Sequence, residues 1–472
     1  MGFDLDMTLI DPRAGMVAVM AALSAETGVH IDGEAFASRL GPPLADELRL
    51  WFPEDQVDAA GDRFRALYPE HAVHPTPAIE GAAEALAASR AHGAHIVVIT
   101  GKYGPNARLH LEHLDLDHDA LVGWAWADGK VDALREHGAW VYVGDHPADM
   151  ASARQAGAAA VGVPTGAYSP DDLRAAGADV VLGSLHDFGP WLDGYVLERR
   201  LAALEAALRS YGSLLVAFSG GADSAFVLAA AVRALGPDAV VAATAVSPSL
   251  AGGELERAAA FAAGLGVRHL TPATRELERD GYRANAGDRC AFCKSELLDV
   301  LAPLAAQHGL AAVATGTNAD DARAGFRPGI AAAAERGAVA PLRDAGLTKD
   351  QVRAASRAWG LETWDKPAAA CLSSRIAYGI EITPAALARV DRAEAALRAS
   401  LEAAGTPSRE LRVRDLGGGT ARIEVDAALA SAVPAEAVAA VAAAGFDRVE
   451  VDPRGFRSGA MNELLADPER YR

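Results

Sequence analysis

Short apolar runs recur along this chain, and each is followed by a turn containing Gly or Asp and then by an Ala- and Leu-rich stretch. The clearest runs are residues 96–99, 141–143, 214–218, 240–245 and 311–315. Buried strands that alternate with amphipathic helices are typical of parallel sheets covered by helices on both faces. The sequence therefore predicts an α/β fold.

The chain has 472 residues, which is too long for one ordinary hydrophobic core. We expect two Rossmann-like units, residues 1–193 and 194–382, and a small α+β subdomain at 383–472. A charged, helical stretch at about 15–75 interrupts the first unit and is expected to form a cap over its site. The Pro- and Gly-bearing stretch 189–194 precedes a predicted helix at about 197–210 and marks the boundary.

Charge and cysteine content narrow the class of partner. The formal net charge of −19 repels polyanions, which argues against nucleic acid or an anionic membrane as the main partner. Small phosphorylated substrates remain compatible, because backbone amides at helix N-termini bind phosphate locally. No run reaches the roughly 18 apolar residues of a membrane-spanning helix. Three cysteines and the lack of a signal-peptide pattern predict a reduced, cytoplasmic protein.

Two carboxylates, Asp4 and Asp6, follow the first short apolar run. Side chains two residues apart share one face of an extended chain, so one carboxylate can attack a phosphoryl group while the other serves as acid and base. Four further polar residues follow later, each at the expected end of a strand or in the first turn of a helix: Thr100, Lys130, Asp145 and Asp149. Any one of them alone would equally suit a turn or a helix cap, but the set in this order favours a phosphate site.

This order of D-x-D-x-T, Thr, Lys and G-D-x-x-x-D resembles the haloacid dehalogenase (HAD) superfamily over about residues 1–190. The resemblance implies Asp4 as nucleophile, Asp6 as general acid and base, and Thr100 and Lys130 as phosphate ligands. It also implies a Mg²⁺ ion with the oxygen ligands that this hard cation prefers, supplied by Asp4, the Asp6 carbonyl, Asp145 and Asp149. Lys102 stays open between a phosphate ligand and a solvated loop lysine. Met7 stands where Gly is usual in the family.

A Gly-rich loop joins the apolar run 214–218 to a predicted helix at 225–232. Glycines let the backbone approach an anion, and the helix N-terminus offers free N–H groups. The loop is not a Walker A sequence, since the G-K-[ST] ending is missing. We expect a nucleotide here, bound by the loop and by the end of a neighbouring strand: Ser219, Gly220, Gly221, Asp223, Ser224, Thr317 and Asn318.

The S-G-G-x-D-S loop resembles the PP-loop ATP pyrophosphatases, whose fold is that of the adenine nucleotide alpha hydrolases. The resemblance implies ATP as substrate, release of pyrophosphate, and Asp223 as a ligand of a second Mg²⁺ site. Amidotransferases, synthetases and tRNA-thiolating enzymes use the same loop. No glutaminase-like cysteine pattern accompanies it here, which counts against the amidotransferases.

Further stretches resemble the LarE-type ATP-dependent sacrificial sulfur transferases over about residues 197–465. They are residues 288–294, 316–321 with 327–329, 364–375 and 455–459. The resemblance implies a pyridinium-3,5-biscarboxylic acid mononucleotide as substrate, a role in nickel-pincer cofactor synthesis, and assembly with copies of the same chain. It implies that Cys371 donates its sulfur, and the candidates for substrate contact are Ser374, Arg375, Glu394, Arg412 and Arg414.

The three cysteines leave two questions open. Cys371 is either an inert small hydrophobe or a reactive thiol, and its basic and polar neighbours Lys366 and Arg375 favour reactivity. Cys290 and Cys293 are half a zinc site, a redox pair or, with Cys371, ligands of an iron–sulfur cluster. The cluster is disfavoured, because no cysteine follows Cys371. The first unit is a phosphatase or, alternatively, only a structural module.

Overall fold

The computed structural model describes residues 1–39, 43–323, 328–367 and 370–457. The chain divides into two compact units, Met1–Val196 and Leu197–Arg472. Five residues of the motifs quoted above lie outside the described residues: Arg327, Ala368, Ala369, Ser458 and Gly459. Within the described ranges no helix is both long enough and apolar enough to cross a bilayer.

The first unit contains a six-stranded parallel sheet in the order β3-β2-β1-β4-β5-β6. Its strands are β1 (Gly2–Phe3), β2 (Val97–Ile99), β3 (Ala120–Val122), β4 (Val141–Gly144), β5 (Ala159–Gly162) and β6 (Val180–Val181). Although β1 has only two residues, it is central, pairing with β2 on one side and β4 on the other. The carboxyl ends of β1 and β4 are therefore adjacent.

Helices cover this sheet and form the expected insertion. The insertion consists of α1 (Arg13–Thr27), α2 (Gly33–Ala37), α3 (Leu44–Leu48) and α4 (Val57–His71), which share a hydrophobic core of their own. The remaining helices are α5 (Ala82–Ala91), α6 (Gly104–His113), α7 (Asp128–Glu136), α8 (Pro147–Ala156), α9 (Pro170–Ala175) and α10 (Phe188–Tyr211).

The helix predicted at about 197–210 begins earlier than expected, because residues 189–194 already belong to helix α10. Pro190 lies in the first turn of this helix, where the amide hydrogen that proline lacks has no helical partner. Phe188, Leu192 and Val196 recur every four residues and are buried in the core of the first unit. That apolar stripe outweighs the turn-forming preference of Gly189 and Gly194.

The second unit is built on a four-stranded parallel sheet in the order β10-β7-β8-β9. The strands are β7 (Leu214–Ala217), β8 (Val240–Ala243), β9 (Arg268–Leu270) and β10 (Ala312–Ala314). Its helices are α11 (Ala222–Leu235), α12 (Glu254–Gly264), α13 (Asp280–Arg283), α14 (Arg289–Gln307), α15 (Ala319–Arg323), α16 (Pro328–Glu335), α17 (Pro341–Asp344) and α18 (Lys349–Ala358).

A smaller sheet follows, with β11 (Leu411–Asp415) antiparallel to β12 (Thr420–Val425), and β12 parallel to β13 (Arg448–Val451). The long helix α19 (Pro384–Ala403) and α20 (Ala435–Ala443) pack on it around a separate core. Leu372 and Ile376 are buried in this core, so the segment after Cys371 is anchored to the small sheet. The predicted α/β class, with two parallel sheets and a small α+β part, is confirmed.

Candidate functional site

Three carboxylates meet at the carboxyl edge of the first sheet. The Asp4 amide donates to the Val143 carbonyl at 2.8 Å, so the ends of β1 and β4 lie side by side. Asp145 follows β4, and Asp149 lies in the first turn of α8. Carboxylate oxygens of Asp4, Asp145 and Asp149 all lie within 4.8 Å of one another. This is the cluster expected for a cation with oxygen ligands.

Lys130 on α7 is buried against this cluster. Its Nζ lies 2.9 Å from Asp4 Oδ1 and 2.6 Å from Asp149 Oδ1. Burial nevertheless raises the pKa of Asp4 to about 7 against the opposing effect of Lys130. Burial and repulsion from Asp4 also raise the pKa of Asp145. One lysine does not balance three buried carboxylates, so the donor set fits a divalent cation.

Asp6 is held apart from the three clustered carboxylates. Its Oδ1 pairs with Lys102 Nζ at 3.0 Å, and Lys102 also donates to the Tyr68 hydroxyl on cap helix α4 at 2.8 Å. The alternative of Lys102 as a solvated loop lysine is therefore wrong, since only 9% of its side chain is exposed. Thr100 is buried at the end of β2 and accepts from the Lys102 amide at 3.1 Å. Thr100 and Lys102 thus both follow the carboxyl end of β2.

The backbone at Met7 has φ 59°, a left-handed conformation that favours glycine. Met7 thus adopts a glycine-like backbone conformation at the position where glycine is usual in the family pattern. Next to it, Thr8 Oγ1 donates to Asp145 Oδ1 at 3.1 Å, which ties the first motif to the last.

The Gly-rich loop of the second unit is compact. The Ser219 and Ser224 hydroxyl groups are hydrogen-bonded to each other at 3.0 Å, and the Gly221 amide donates to Ser219 Oγ at 3.4 Å. Gly220 has φ 72°, which glycine adopts without strain. Helix α11 starts immediately after, so its first amides point at the loop. The arrangement is a phosphate cradle.

Asp223 carries an unbalanced carboxylate beside this cradle. Its Oδ1 is buried and has no hydrogen-bond partner among the described residues. Burial raises the pKa of Asp223, against the opposing effect of Lys349. A buried oxygen without a donor is costly unless a cation or another donor faces it, so Asp223 fits the expected role beside Mg²⁺ and pyrophosphate.

A cavity of about 1190 Å³ opens above the cradle. Nine of the residues singled out from the sequence line it: Ser219, Gly221, Asp223, Ser224, Thr317, Cys371, Arg375, Glu394 and Arg412. The structure thus brings the nucleotide loop, the cysteine and three of the charged candidates to one space. Four others do not line the cavity: Gly220, Asn318, Ser374 and Arg414.

Cys371 is half-buried in the cavity wall, directly before the 3₁₀ turn Leu372–Arg375. The Leu372 amide donates to the Ser249 carbonyl at 2.9 Å, and the Cys371 carbonyl accepts from the Ser374 amide at 2.9 Å. Both bonds fix the backbone on either side of the sulfur. Because Cys371 lines an open cavity and not a closed core, its position favours a reactive thiol.

The arginine candidates differ in how they are held. Arg375 Nε pairs with Glu394 Oε1 at 2.9 Å, and Glu394 also accepts from the Val413 amide at 3.0 Å. Arg412 lines the cavity beneath the Phe456 ring, and burial followed by repulsion from Arg375 lowers the pKa of its guanidinium. These three charged residues form one wall.

Arg414, by contrast, is directed away from the cavity. Its guanidinium donates to Glu424 Oε2 at 2.8 Å and 3.0 Å and to the Ser374 carbonyl at 2.9 Å. Arg414 and Ser374 therefore brace the turn after Cys371 and do not line the substrate space. Alternation along β11 places the Arg412 and Arg414 side chains on one face of the strand. The two long side chains nevertheless end at different partners.

Asn318 caps a helix, and its side chain also hydrogen-bonds to Asp223 of the cradle. Asn318 Oδ1 accepts from the Asp320 and Asp321 amides at 3.0 Å each and so caps helix α15. Thr317, one residue before, lines the cavity.

Cys290 and Cys293 lie one turn apart on α14. Cys290 is exposed, whereas Cys293 lines the same cavity as Cys371. Burial raises the pKa of Cys293 to about 12, and the neighbouring Cys371 adds to the shift. Lys294 also lines the cavity, and burial lowers its pKa. Cys293 and Cys371 therefore line one cavity, whereas Cys290 does not.

Two residues at the cradle were not predicted from the sequence to contact the nucleotide loop. Lys366 Nζ donates to the Gly220 carbonyl at 2.8 Å and to Glu254 Oε2 at 2.7 Å, and so ties the motif around Cys371 to the nucleotide loop. Its position in the 364–375 motif was the available signal. Glu254 carried no signal, because an acidic residue in a first helical turn is common for electrostatic reasons alone.

Some known proteins are similar to the first unit of this chain, and others are similar to the second. The sequence model described as haloacid dehalogenase-like hydrolase matches residues 1–154, and the one described as HAD-hydrolase-like matches residues 127–188. The 5′-nucleotidase of Pseudomonas aeruginosa is 30% identical over 198 residues, which cover 37% of this chain and 86% of that protein.

Two longer relatives match 57% of this chain each. The uncharacterized protein slr1717 of Synechocystis sp. is 42% identical over 275 residues and is covered to 99%. The pyridinium-3,5-bisthiocarboxylic acid mononucleotide synthase of Lactiplantibacillus plantarum is 34% identical over 272 residues and is covered to 96%. Both relatives are thus similar to this chain over nearly their whole length.

Proposed function

The second unit of the chain belongs to the LarE-type sulfur transferases, and the first belongs to the haloacid dehalogenase-like hydrolases. We propose a function for each unit. For the second unit, the observation that carries the proposal is the single cavity shared by the nucleotide loop and Cys371. The proposed reaction is ATP-dependent transfer of the Cys371 sulfur to pyridinium-3,5-biscarboxylic acid mononucleotide, for synthesis of the nickel-pincer cofactor.

A carboxylate is a poor electrophile until its oxygen is adenylylated. In the proposed first step, a substrate carboxylate attacks the α-phosphorus of ATP, and pyrophosphate leaves from the cradle formed by Ser219 to Ser224. Asp223 would hold a divalent cation there, and such an ion would neutralise charge on the leaving pyrophosphate. We propose that Arg412 and Arg375 bind the substrate's acidic groups, since both line the cavity and guanidinium forks match carboxylate and phosphate.

In the proposed second step, the Cys371 thiolate attacks the activated carbonyl carbon and AMP leaves, which gives a thioester. Removal of the Cα proton of Cys371 then breaks its Cβ–S bond. The electron pair of that bond stays with sulfur, so the products are a substrate thiocarboxylate and dehydroalanine at position 371. Each chain supplies one sulfur, and two rounds give the bisthiocarboxylic acid.

Serine substitution separates the two steps. We expect Cys371→Ser to release pyrophosphate from ATP in the presence of the biscarboxylic nucleotide but to form no thiolated product. Liquid chromatography with mass detection measures the product. Thiolated product from Cys371→Ser would rule out this residue as the donor, and an amidated product would instead support an amidotransferase.

The alternative source of sulfur is an iron–sulfur cluster held by Cys290, Cys293 and Cys371, which is disfavoured because Cys290 does not line the cavity. Cys290 distinguishes the two sources, because it is exposed and away from the cavity wall. Cys290→Ser leaves sacrificial transfer unchanged but removes one ligand of a cluster. Loss of product formation in Cys290→Ser, together with iron in the purified unaltered protein, would favour the cluster.

For the first unit, we propose a Mg²⁺-dependent phosphomonoesterase. The carrying observation is the buried cluster of Asp4, Asp145 and Asp149 with Lys130. A Mg²⁺ ion bound there would neutralise charge on the phosphoryl group. Asp4 attacks phosphorus, and Asp6 gives a proton to the leaving alcohol. Asp6 then takes a proton from the water that hydrolyses the aspartyl phosphate.

Asp4→Asn tests this second proposal. We expect hydrolysis of para-nitrophenyl phosphate to fall by at least about 10³-fold, because the amide cannot act as nucleophile. Asp11→Asn is the matched control, since Asp11 pairs with Arg13 near the surface of the same loop region. Unchanged hydrolysis in Asp4→Asn would leave the first unit as a structural module.

A further inference from the structure

Exposed aromatic side chains gather beside the carboxylate cluster of the first unit. Among the described residues, six large apolar side chains are exposed, and four of them belong to this region: Tyr103, Trp124, Trp126 and Tyr168. They follow strands β2, β3 and β5, so they lie at the same carboxyl edge of the sheet as Asp4. Exposure of large aromatic rings is unfavourable unless a ligand or partner covers them.

Trp126 connects this group to the phosphate site. Its ring centroid lies 6.0 Å from Lys130 Nζ, which is itself 2.9 Å from Asp4 Oδ1. A Cβ atom built on Gly101 would lie 3.3 Å from the Trp126 ring, so the ring also covers the residue after Thr100. Trp126 is therefore a neighbour of both expected phosphate ligands, with 40% of its surface exposed.

His146 extends the aromatic surface from Trp126 to Tyr168. Its ring packs edge-on at 5.5 Å from Trp126 and at 4.6 Å from Tyr168. On the other side, Trp124 and Tyr103 pack at 5.5 Å. The Arg65 guanidinium on α4 lies 6.0 Å from the Tyr103 ring and 5.7 Å from the Trp124 ring, whereas Trp126 stays partly open to solvent.

The backbone around Trp126 is strained. Trp124 has φ 57° and Ala127 has φ 45°, and a left-handed conformation costs a residue with a side chain about 1–2 kcal/mol. Such strain is retained where the resulting side-chain position is useful. Here the two left-handed residues flank the ring that reaches the phosphate site.

We propose that these rings form a base-stacking site, so that the phosphomonoester hydrolysed by the first unit is a 5′-mononucleotide. Its phosphate would lie at Asp4 and its aromatic ring on Trp126, separated by the ribose. Water and the mononucleotide give nucleoside and inorganic phosphate: the bond between phosphorus and the 5′-oxygen breaks, and that oxygen takes a proton. The proposal rests on the phosphomonoesterase activity proposed above.

Two kinds of mononucleotide share this chemistry. AMP carries a neutral purine and is released by the adenylylation proposed for the second unit. A pyridinium mononucleotide carries a cationic ring, which tryptophan faces also attract. Comparison of AMP with nicotinamide mononucleotide distinguishes the two sources.

The test uses the full chain with Mg²⁺ and follows release of inorganic phosphate. The substrates are AMP, nicotinamide mononucleotide and ribose 5-phosphate, which keeps the sugar and phosphate but lacks the ring. We expect kcat/KM at least about tenfold higher for one of the two nucleotides than for ribose 5-phosphate, since stacking of one base on an aromatic side chain is worth that much. Equal values for all three would overturn the proposal.

Variants of Trp126 locate the effect. Trp126→Leu should lower kcat/KM for the nucleotide, through a higher KM, far more than kcat/KM for ribose 5-phosphate, whereas Trp126→Phe should restore most of the preference for the nucleotide. Leu50→Ala, which shortens an exposed apolar side chain of the cap, should change neither. A preference that survives in Trp126→Leu would place the ring elsewhere and overturn the assignment.

Failure of the hydrolase activity itself is distinguishable. If para-nitrophenyl phosphate is not hydrolysed, the phosphomonoesterase proposal fails, and ring binding is measured directly. Nicotinamide mononucleotide should then quench tryptophan fluorescence saturably in the Asp4→Asn protein and less in Asp4→Asn/Trp126→Leu. Equal quenching in the two proteins would overturn the stacking site.

Discussion

His110 makes the stability of the first unit depend on pH. Its ring is buried on α6, with Nε2 2.8 Å from the Tyr68 hydroxyl. Burial, with a smaller contribution from Lys102, lowers the pKa of His110 to about 3. The unfolded chain keeps a value near 6.5. Between these two values the unfolded state binds a proton that the folded state does not, so stability falls as pH falls.

We therefore predict that the free energy of unfolding decreases by about 2 kcal/mol from pH 7 to pH 5 through His110 alone. His110→Gln keeps a partner for Tyr68 but does not titrate in this range. Urea unfolding of the unaltered protein and of His110→Gln at both pH values measures how the free energy of unfolding of each changes with pH. Identical pH slopes would show that His110 is protonated at no cost in the folded chain.

Gly316 packs so closely against helix α11 that even an alanine there should disturb the nucleotide cradle. A Cβ atom there would lie 2.7 Å from the Ser224 amide nitrogen in the first turn of α11. Gly316→Ala should therefore displace the nucleotide cradle and lower kcat/KM for ATP at least about tenfold, as measured by pyrophosphate release. Gly264→Ala is the control, because its Cβ meets nothing within 4 Å. Wild-type ATP kinetics in Gly316→Ala would contradict the cradle geometry.

At this scale the sequence indicates residue types well and partners poorly. The carboxylate cluster could be predicted, because two of its three residues come directly after apolar runs that the sequence shows locally. The burial of Lys102 does not, because its partner Tyr68 lies on a cap helix distant in sequence. The separation of Arg414 from Arg412 depends on Glu424, which pairs across strands, and no local pattern reports that pairing.

At the scale of elements, two glycines of the cap helices should respond in opposite ways to the same substitution. A Cβ at Gly15 on α1 would overlap the Ala72 carbonyl oxygen and lie 2.5 Å from Thr76 Oγ1. A Cβ at Gly61 on α4 would meet the flexible Arg65 guanidinium at 3.5 Å and Leu48 Cδ1 at 3.7 Å, both of which are ordinary contacts. Alanine improves helix propensity at both sites by up to about 1 kcal/mol, but overpacking costs about 1–3 kcal/mol.

We predict that Gly61→Ala raises the free energy of unfolding by up to about 1 kcal/mol and that Gly15→Ala lowers it by on the order of 1–2 kcal/mol. Urea unfolding followed by circular dichroism measures both. If Gly15→Ala were as stable as Gly61→Ala, the close packing of α1 against the end of α4 would be wrong.

Most elements could be predicted because their burial pattern is local. The runs at 96–99, 141–143 and 214–218 are buried strands. Helix α10 shows the limit: its Gly and Pro residues indicate a loop locally, and only the core that buries Phe188 and Leu192 makes the helix favourable. Strand order also depends on contacts between distant segments, which a single sequence does not display.

At the scale of the whole molecule, the chain carries two sites in two compact units. Length and the two motif sets predicted two units, because each set contains its own strand, loop and helix. The cavity in the second unit could not be read from the motifs alone. It gathers residues from 217 to 412, and Ser249 and Glu276 line it without belonging to any recognisable pattern.

The central claim is that Cys371 gives up its sulfur, and the intact mass of the protein tests it most directly. The full chain is incubated with Mg²⁺, ATP and pyridinium-3,5-biscarboxylic acid mononucleotide, and its mass is measured before and after. We predict loss of the mass of one H₂S per chain, located by peptide mapping at Cys371. An unchanged mass accompanied by thiolated product would contradict sacrificial transfer and point to a cluster or an external sulfur source.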